Sequence, residues 1–216
     1  MANNTFDEII KSIKEGKKAK FDETLECQLK LTLPEKNKKD SIRFSVVFDK
    51  PFEEGKKVAV LADAQNAEEA KKAGADFVGL EDLVKKISGG WTDFDVLIAT
   101  PSVMAKISVL GKVLGPKGLM PNPKNETVTT DLKRVIGMYK KGKLDFRADE
   151  GGALHLKFGK VSMTEAELKA NFVGLMKEVF GAINKYGDRV VTSAVIKSTM
   201  SKPVKMELSE LKTLTK

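Results

Sequence analysis

Cysteine and histidine are almost missing from this chain of 216 residues: each occurs once, as Cys27 and His155. A lone cysteine excludes an internal disulfide, and one Cys with one His cannot furnish the N and S ligands of a structural zinc site. No run approaches the roughly 18 consecutive apolar residues of a membrane helix, and Met1 to Glu8 holds no apolar stretch ahead of a cleavage site. The expectation is a cytosolic chain with no metal ion, no other cofactor and no membrane partner. A glycine-rich turn is absent where a dinucleotide or phosphate site needs one, because the apolar run Val58 to Ala62 leads into Asp63-Ala-Gln-Asn66. Gly115-Pro-Lys-Gly118 lacks the glycine spacing and the Lys-Ser/Thr ending of a phosphate loop. Catalysis by Cys27 with His155 fails on phase, since Cys27 alternates onto the apolar face of its strand and His155 onto a wet face. The chain is therefore not expected to be an enzyme; an α/β enzyme using the central segment is the alternative from another class.

Positive charge is what the sequence has in excess. Lys and Arg number 38 against 30 Asp and Glu, a net charge of +8, in a composition with 41% hydrophobic residues that suits a folded chain. A polyanion such as RNA is a natural partner for that balance, although charge alone identifies no site.

Hydrophobic periodicity divides the chain. Leu25, Cys27, Leu29, Leu31 and Leu33 alternate with Glu26, Gln28, Lys30 and Thr32, as in a strand with one wet face. A charged turn over Pro34 to Asp40 follows, then Ile42, Phe44, Val46 and Phe48 repeat the pattern, predicting an antiparallel hairpin. After Pro51 the pattern changes to buried strands alternating with helices: runs at 58–62, 76–78 and 94–99, helices over 67–73, 80–87 and 129–141. That alternation predicts a layered unit with a largely parallel sheet. The wet-face pattern returns in Leu144 and Phe146, then in Leu154, Leu156 and Phe158, with Gly151-Gly152 turning between them. A helix follows, with Ser162 and Glu165 as a capping box and Leu168, Phe172, Leu175, Met176, Val179, Phe180 and Ile183 on one stripe. A final strand spans Val190 to Ser198.

The simplest assembly is a split α+β domain with an antiparallel sheet, residues 1–52 with 143–216, and an α/β domain inserted at 53–142. The insert holds 14 Lys and Arg against 12 Asp and Glu (net +2); the two ends hold 24 against 18 (net +6). The excess charge lies on the split domain, and its wet strand faces carry Thr24, Glu26, Gln28, Arg43, Arg147, His155, Lys157 and Lys197, with Phe21 and Met200 at strand ends. A mixed polar and apolar patch suits structured RNA, which is bound through phosphates, 2′-hydroxyls and base faces. A solvated sheet face accounts equally well for any one of these residues taken alone.

Two segments are more specific. Lys20-Phe-Asp-Glu-Thr-Leu-Glu26 and Leu114-Gly-Pro-Lys-Gly-Leu-Met-Pro-Asn-Pro-Lys124 closely resemble the hallmark stretches of the bacterial-type ribosomal protein L-one family. Gly90-Trp-Thr-Asp-Phe-Asp95, Ala99-Thr-Pro101, Phe146-Arg147, Gly159-Lys160 and Ser198-Thr-Met200 match in family order, so the resemblance spans nearly the whole chain. It implies the same insertion, with a Rossmann-like inserted domain, in a constituent of the large ribosomal subunit that acts in the cytoplasm on the ribosome. The implied partners are large-subunit rRNA at the mobile stalk, exit-site tRNA, and the mRNA of its own operon, bound in translational repression; free of the ribosome, the chain is expected to be a monomer. The runner-up in the same class is a free mRNA-binding translational regulator.

By motif match the resemblance carries over Lys20, Phe21, Thr24 and Glu26 as one RNA-contact segment, and Thr199, Met200 and Ser201 as another. Arg43, Arg147, His155 and Lys157 complete the expected RNA-binding set. Ser201 stands where the family usually has Gly, Phe44 where bacterial members commonly have Gly, and the basic N-terminal extension of many bacterial members is missing.

Overall fold

The computed structural model describes residues 5–16, 19–33, 42–53, 55–149, 151–187 and 190–214. It divides into two compact units, Met1–Phe52 with Asp145–Lys216, and Glu53–Leu144. The first unit opens with α1 (Phe6–Glu15), β1 (Thr24–Leu31) and β2 (Arg43–Val46). The second follows with β3 (Val58–Leu61), α2 (Ala64–Lys72), β4 (Phe77–Gly79), α3 (Glu81–Ser88), β5 (Val96–Ala99), the single turns α4 (Met104–Ile107) and α5 (Gly111–Leu114), and α6 (Leu132–Lys140). The chain returns through β6 (Leu144–Arg147), β7 (Ala153–Lys160), α7 (Glu165–Ile183), β8 (Val191–Ser198), β9 (Val204–Met206) and α8 (Leu208–Leu214).

In the first unit a four-stranded antiparallel sheet runs β7-β1-β8-β9, with β2 and β6 forming a separate two-stranded sheet. The predicted β1–β2 hairpin is therefore not formed; the charged turn assigned to residues 34–40 lies outside the described residues. Both edges of β1 are already taken, by β7 and β8. Phe44 instead sets its ring 5.5 Å from Phe146 of β6, which gives the Phe at this position a packing role. The chain turns at Gly151-Gly152 as expected, with Gly152 N–H donating to the Asp149 carbonyl at 3.1 Å, although β6 and β7 belong to different sheets. Gly152, at φ +76°, offers its carbonyl to Leu31 N–H at 2.7 Å and so delivers β7 to β1.

The apolar phase of these strands is as the alternation requires. Leu25, Cys27, Leu29 and Leu31, with Leu154, Leu156, Phe158, Ala194 and Ile196, are buried together with α1 and α7 side chains. Each such Leu or Phe contributes about 1.5–3 kcal/mol on leaving water. The ring of Phe172 from α7 lies 4.6 Å from Phe6 of α1 and 5.3 Å from Phe158 of β7. Helix α1 was not anticipated, yet its signal is plain: Thr5 and Glu8 form a capping box, and Phe6, Ile9, Ile10 and Ile13 make a buried stripe. In α7 the capping box is Thr164 with Glu167, two residues later than expected, because the Ser162 hydroxyl donates to Asp22 at 2.7 Å. Asn171 shares the buried stripe, its amide donating to the carbonyls of Phe158 and Lys50, while Phe180 is only half-buried.

The second unit has a parallel sheet ordered β4-β3-β5. β3 and β5 are buried on both faces, which is why they read as continuous apolar runs, while the edge strand β4 is half-buried. Leu83 and Ile87 of α3, with Val103, Ile107, Leu110 and Leu114, cover one face. Ala70 of α2 and Leu132, Val135, Ile136 and Tyr139 of α6 cover the other. The fold is thus mixed α/β, an antiparallel sheet in one unit and a parallel sheet in the other.

Candidate nucleic-acid interface

With the apolar face of β1 turned to α1 and α7, its polar residues line the outer face of the central strand. The register places Glu26 between Lys157 of β7 and Lys197 of β8, and Gln28 between His155 and Val195. Thr24 stands opposite Lys160. At about 3.3 Å per residue, Thr24 to Gln28 covers about 13 Å. Glu26 is thus half-buried between two lysines in register with it, the arrangement by which a carboxylate orients cationic neighbours. His155 is exposed, with Nε2 3.9 Å from a carboxylate oxygen of Asp149.

At one end of this face the chain entering β1 meets the chain leaving β8. Thr199 Oγ1 accepts from Thr24 N–H at 3.2 Å and donates to the Thr24 carbonyl at 3.4 Å, adding a side-chain rung beyond the last backbone pair, Leu25 with Ser198. Glu23, just before β1, is buried at 2% exposure; its Oε2 accepts from Ser198 Oγ at 2.6 Å and from Met200 N–H at 3.0 Å. Phe21 and Met200 are among the few large hydrophobic side chains left open, at 53% and 71% exposure. Lys20 is exposed beside Phe21.

The structure therefore brings Thr24, Glu26 and Lys157 onto one face of the four-stranded sheet, with His155 two residues before Lys157 in β7, and Thr199 and Met200 to the end where β1 begins, with Phe21 exposed three residues before β1. Arg43 and Arg147 sit apart on the β2–β6 sheet, opposite in phase to the packed Phe44 and Phe146, so strand pairing does not place them in these rows. Ser201 is turned inward: its hydroxyl accepts from Ser198 N–H at 2.8 Å and donates to the Lys202 carbonyl at 3.2 Å. No residue of this turn has positive φ; Glu126 is the one non-glycine described residue that does, so nothing here demands the glycine usual in the family. Sequence reasoning missed Glu23 and Lys160. Each lay in a family-like stretch, Glu23 in Lys20–Glu26 and Lys160 in Gly159-Lys160, but nothing in a single sequence tells that the Glu is buried.

The second unit presents a different chemistry. At the carboxyl ends of β3 and β5, where the strand order reverses and α/β folds commonly bind ligands, Ser102 Oγ donates to Asp63 at 2.7 Å and lies 3.1 Å from Thr100 Oγ1. Near the chain crossing, Lys143 is 2% exposed, with Nζ 2.9 Å from Glu126 and 5.3 Å from the Tyr139 ring centroid. The hydrogen bond from Lys143 holds the Glu126 carboxyl below its ordinary value; partial burial opposes this and Arg134 adds to it. Among the described residues no cluster of three or more His, Cys, Asp or Glu is arranged to hold a metal ion, and no helix is long and apolar enough to cross a membrane.

The profile of the ribosomal protein L1p/L10e family matches residues 13–202. The chain belongs to that family. It is 46% identical over 175 residues to a protein of Lactobacillus acidophilus named large ribosomal subunit protein uL1, covering 81% of this chain and 76% of that one. Proteins of the same name are 43% identical in Bdellovibrio bacteriovorus, covering 94% of this chain and 87% of the relative, and 42% identical in Prochlorococcus marinus, covering 97% and 89%. The stretch matched to the L1p/L10e family includes β1, the turn after β8 and the whole second unit, so membership extends over both units.

Proposed function

We propose that this chain is a constituent of the large ribosomal subunit and binds large-subunit rRNA through the outer face of β7-β1-β8 and the turn after β8. The observation that carries the reading is the meeting of exposed Phe21 and Met200 with Thr24, Thr199 and flanking lysines at one end of that sheet. Lysines position phosphates, hydroxyls and Glu26 pair with 2′-hydroxyls and base edges, and Phe and Met cover sugar or base faces; structured RNA demands that combination. The chain's sequences shared with its uL1-named relatives support the ribosomal assignment.

The finer reading is that the rRNA site is the junction at the mobile stalk near the tRNA exit site, where the bound protein also meets exit-site tRNA. An mRNA segment from its own operon that mimics the junction occupies the same face, giving translational repression. Off the ribosome the chain is monomeric and cytoplasmic. Titration of the purified chain with a stalk-junction rRNA fragment and with an unrelated duplex of equal length tests this. The fragment is expected to bind at least about a hundredfold more tightly, a difference near 2.7 kcal/mol. Equal affinities reduce the site to a general basic surface.

A further inference from the structure

We infer that Glu23 is a positioning residue, a buried carboxylate that holds the turn after β8 in the shape that receives RNA; this rests on the reading that the turn contacts RNA. Burial of an ionised carboxylate is costly unless well-aligned donors offset the loss of water. Here it is also placed beneath a surface read as binding a polyanion, where a negative charge opposes the ligand. A Gln in its place supplies an acceptor without either disadvantage. What the carboxylate provides is a charge-assisted grip, with Oε2 2.6 Å from Ser198 Oγ and 3.0 Å from Met200 N, on the residues either side of Thr199.

The rest of the turn is braced from the same side. Thr24 takes the Thr199 hydroxyl in two main-chain bonds, and the Glu23 carbonyl accepts from Val161 N–H at 2.9 Å, tying the end of β7 to the same point. The Ser201 hydroxyl closes the turn by accepting from Ser198 N–H. Residues 23 and 24 thus fix residues 198–200 from within, while the Met200 side chain projects outward at 71% exposure. Behind the turn lies a cleft of about 350 Å³, lined by Ile13, Gly16, Glu23, Lys202 and Val204 among others. An unbraced turn has that space to fall back into, which withdraws Thr199 and Met200 from the surface without disturbing the Phe6–Phe158–Phe172 core.

The test uses the full chain with Glu23→Ala and Glu23→Gln. It measures amide hydrogen exchange at Met200 in the free protein, thermal melting, and affinity for the stalk-junction rRNA fragment. In wild type the Met200 amide is expected to be protected although its side chain is open. Glu23→Ala is expected to abolish that protection and weaken binding about tenfold or more, and Glu23→Gln, which keeps an oxygen acceptor but loses the charge, to restore only part of both. Met200→Ala should cost less in the Glu23→Ala background than alone, because the side chain is already misplaced. Should Glu23→Ala not fold, Ser198→Ala removes the bond from Ser198 Oγ to the carboxylate and is expected to lower Met200 protection and weaken binding about threefold. A folded Glu23→Ala that melts lower but binds within twofold of wild type overturns the inference, as do independent effects in the Met200 cycle or an unaltered Ser198→Ala. A wild-type protein that does not bind the fragment takes down the RNA reading itself.

Discussion

The Thr199 hydroxyl is spent on the Thr24 main chain, accepting from its N–H and donating to its carbonyl. A valine of the same shape therefore removes a rung between β8 and β1 as well as any bond to RNA. Thr199→Val is expected to lower the stability of the first unit by about 1 kcal/mol and to weaken rRNA binding, and Thr199→Ser to recover both. Melts and titrations of the two variants decide this; unchanged melting in the valine variant removes the rung from the account. From the motif and strand phase alone the expectation is weakened binding with an intact fold, because nothing local tells that the hydroxyl has a main-chain partner 175 residues away. Cys27 behaves oppositely, since its strand phase alone predicts burial. Burial pushes its thiol from 9.0 up to about 12. The stability tied to this neutral thiol is full below the unfolded pKa near 9 and is lost as pH rises through the folded value. In the native protein Cys27 is expected to resist a thiol-specific disulfide reagent at pH 8 and to react on unfolding; rapid labelling of the native state contradicts its burial.

At the scale of elements, glycines decide two junctions. Gly159, the penultimate residue of β7, lies so close to α7 that a Cβ there meets Leu168 Cδ2 at 2.3 Å, which ties the Gly-Lys match to close strand–helix packing. Gly118 has open space around it but φ +71°, so the restriction in the 114–124 loop is conformational and not steric. Leu119 and Met120 of that loop pack on the core of the second unit, and Lys117 Nζ donates to Thr92 Oγ1 at 2.5 Å. Gly118→Val places a β-branched residue in the left-handed region and is expected to cost about 1–3 kcal/mol in the second unit. Gly118→Asn, which tolerates that region, should cost less, and both should bind rRNA within twofold of wild type. Normal melting with strongly reduced binding places this loop in the RNA site.

For the whole molecule, charge is the property that matters. The net +8 is carried unequally, +6 on residues 1–52 with 143–216 and +2 on 53–142, while the proposed contact face itself mixes lysines with Glu26 and apolar groups. Such a site draws part of its affinity from released counterions and part from contacts that salt does not screen. The affinity for the rRNA fragment is expected to fall with a log–log salt slope of magnitude roughly 0.7–0.9 per phosphate neutralised. Lys157→Gln should make the slope shallower by about one phosphate, and Met200→Ala should weaken binding at every salt concentration without altering it. A salt-independent affinity removes phosphate contacts from the mechanism.

Local chemistry in the sequence determined which face of each strand is wet, because successive side chains alternate across a strand whatever it pairs with. It determined the buried parallel strands of the second unit for a similar reason: apolar runs without alternation belong to strands covered on both faces. The family-like stretches supplied Phe21, Thr24, Thr199 and Met200 as candidates. Partnership was decided only by the tertiary structure. β1 pairs with β7 and β8 and not with its neighbour β2, since hydrogen-bonding edges are alike in every strand and carry no address; complementary packing over the whole unit selects among them. The same holds for Glu23, whose bonds from Ser198 and Met200 and place beneath the turn depend on residues 175 and 177 positions away. No pattern within a window of sequence contains that distance.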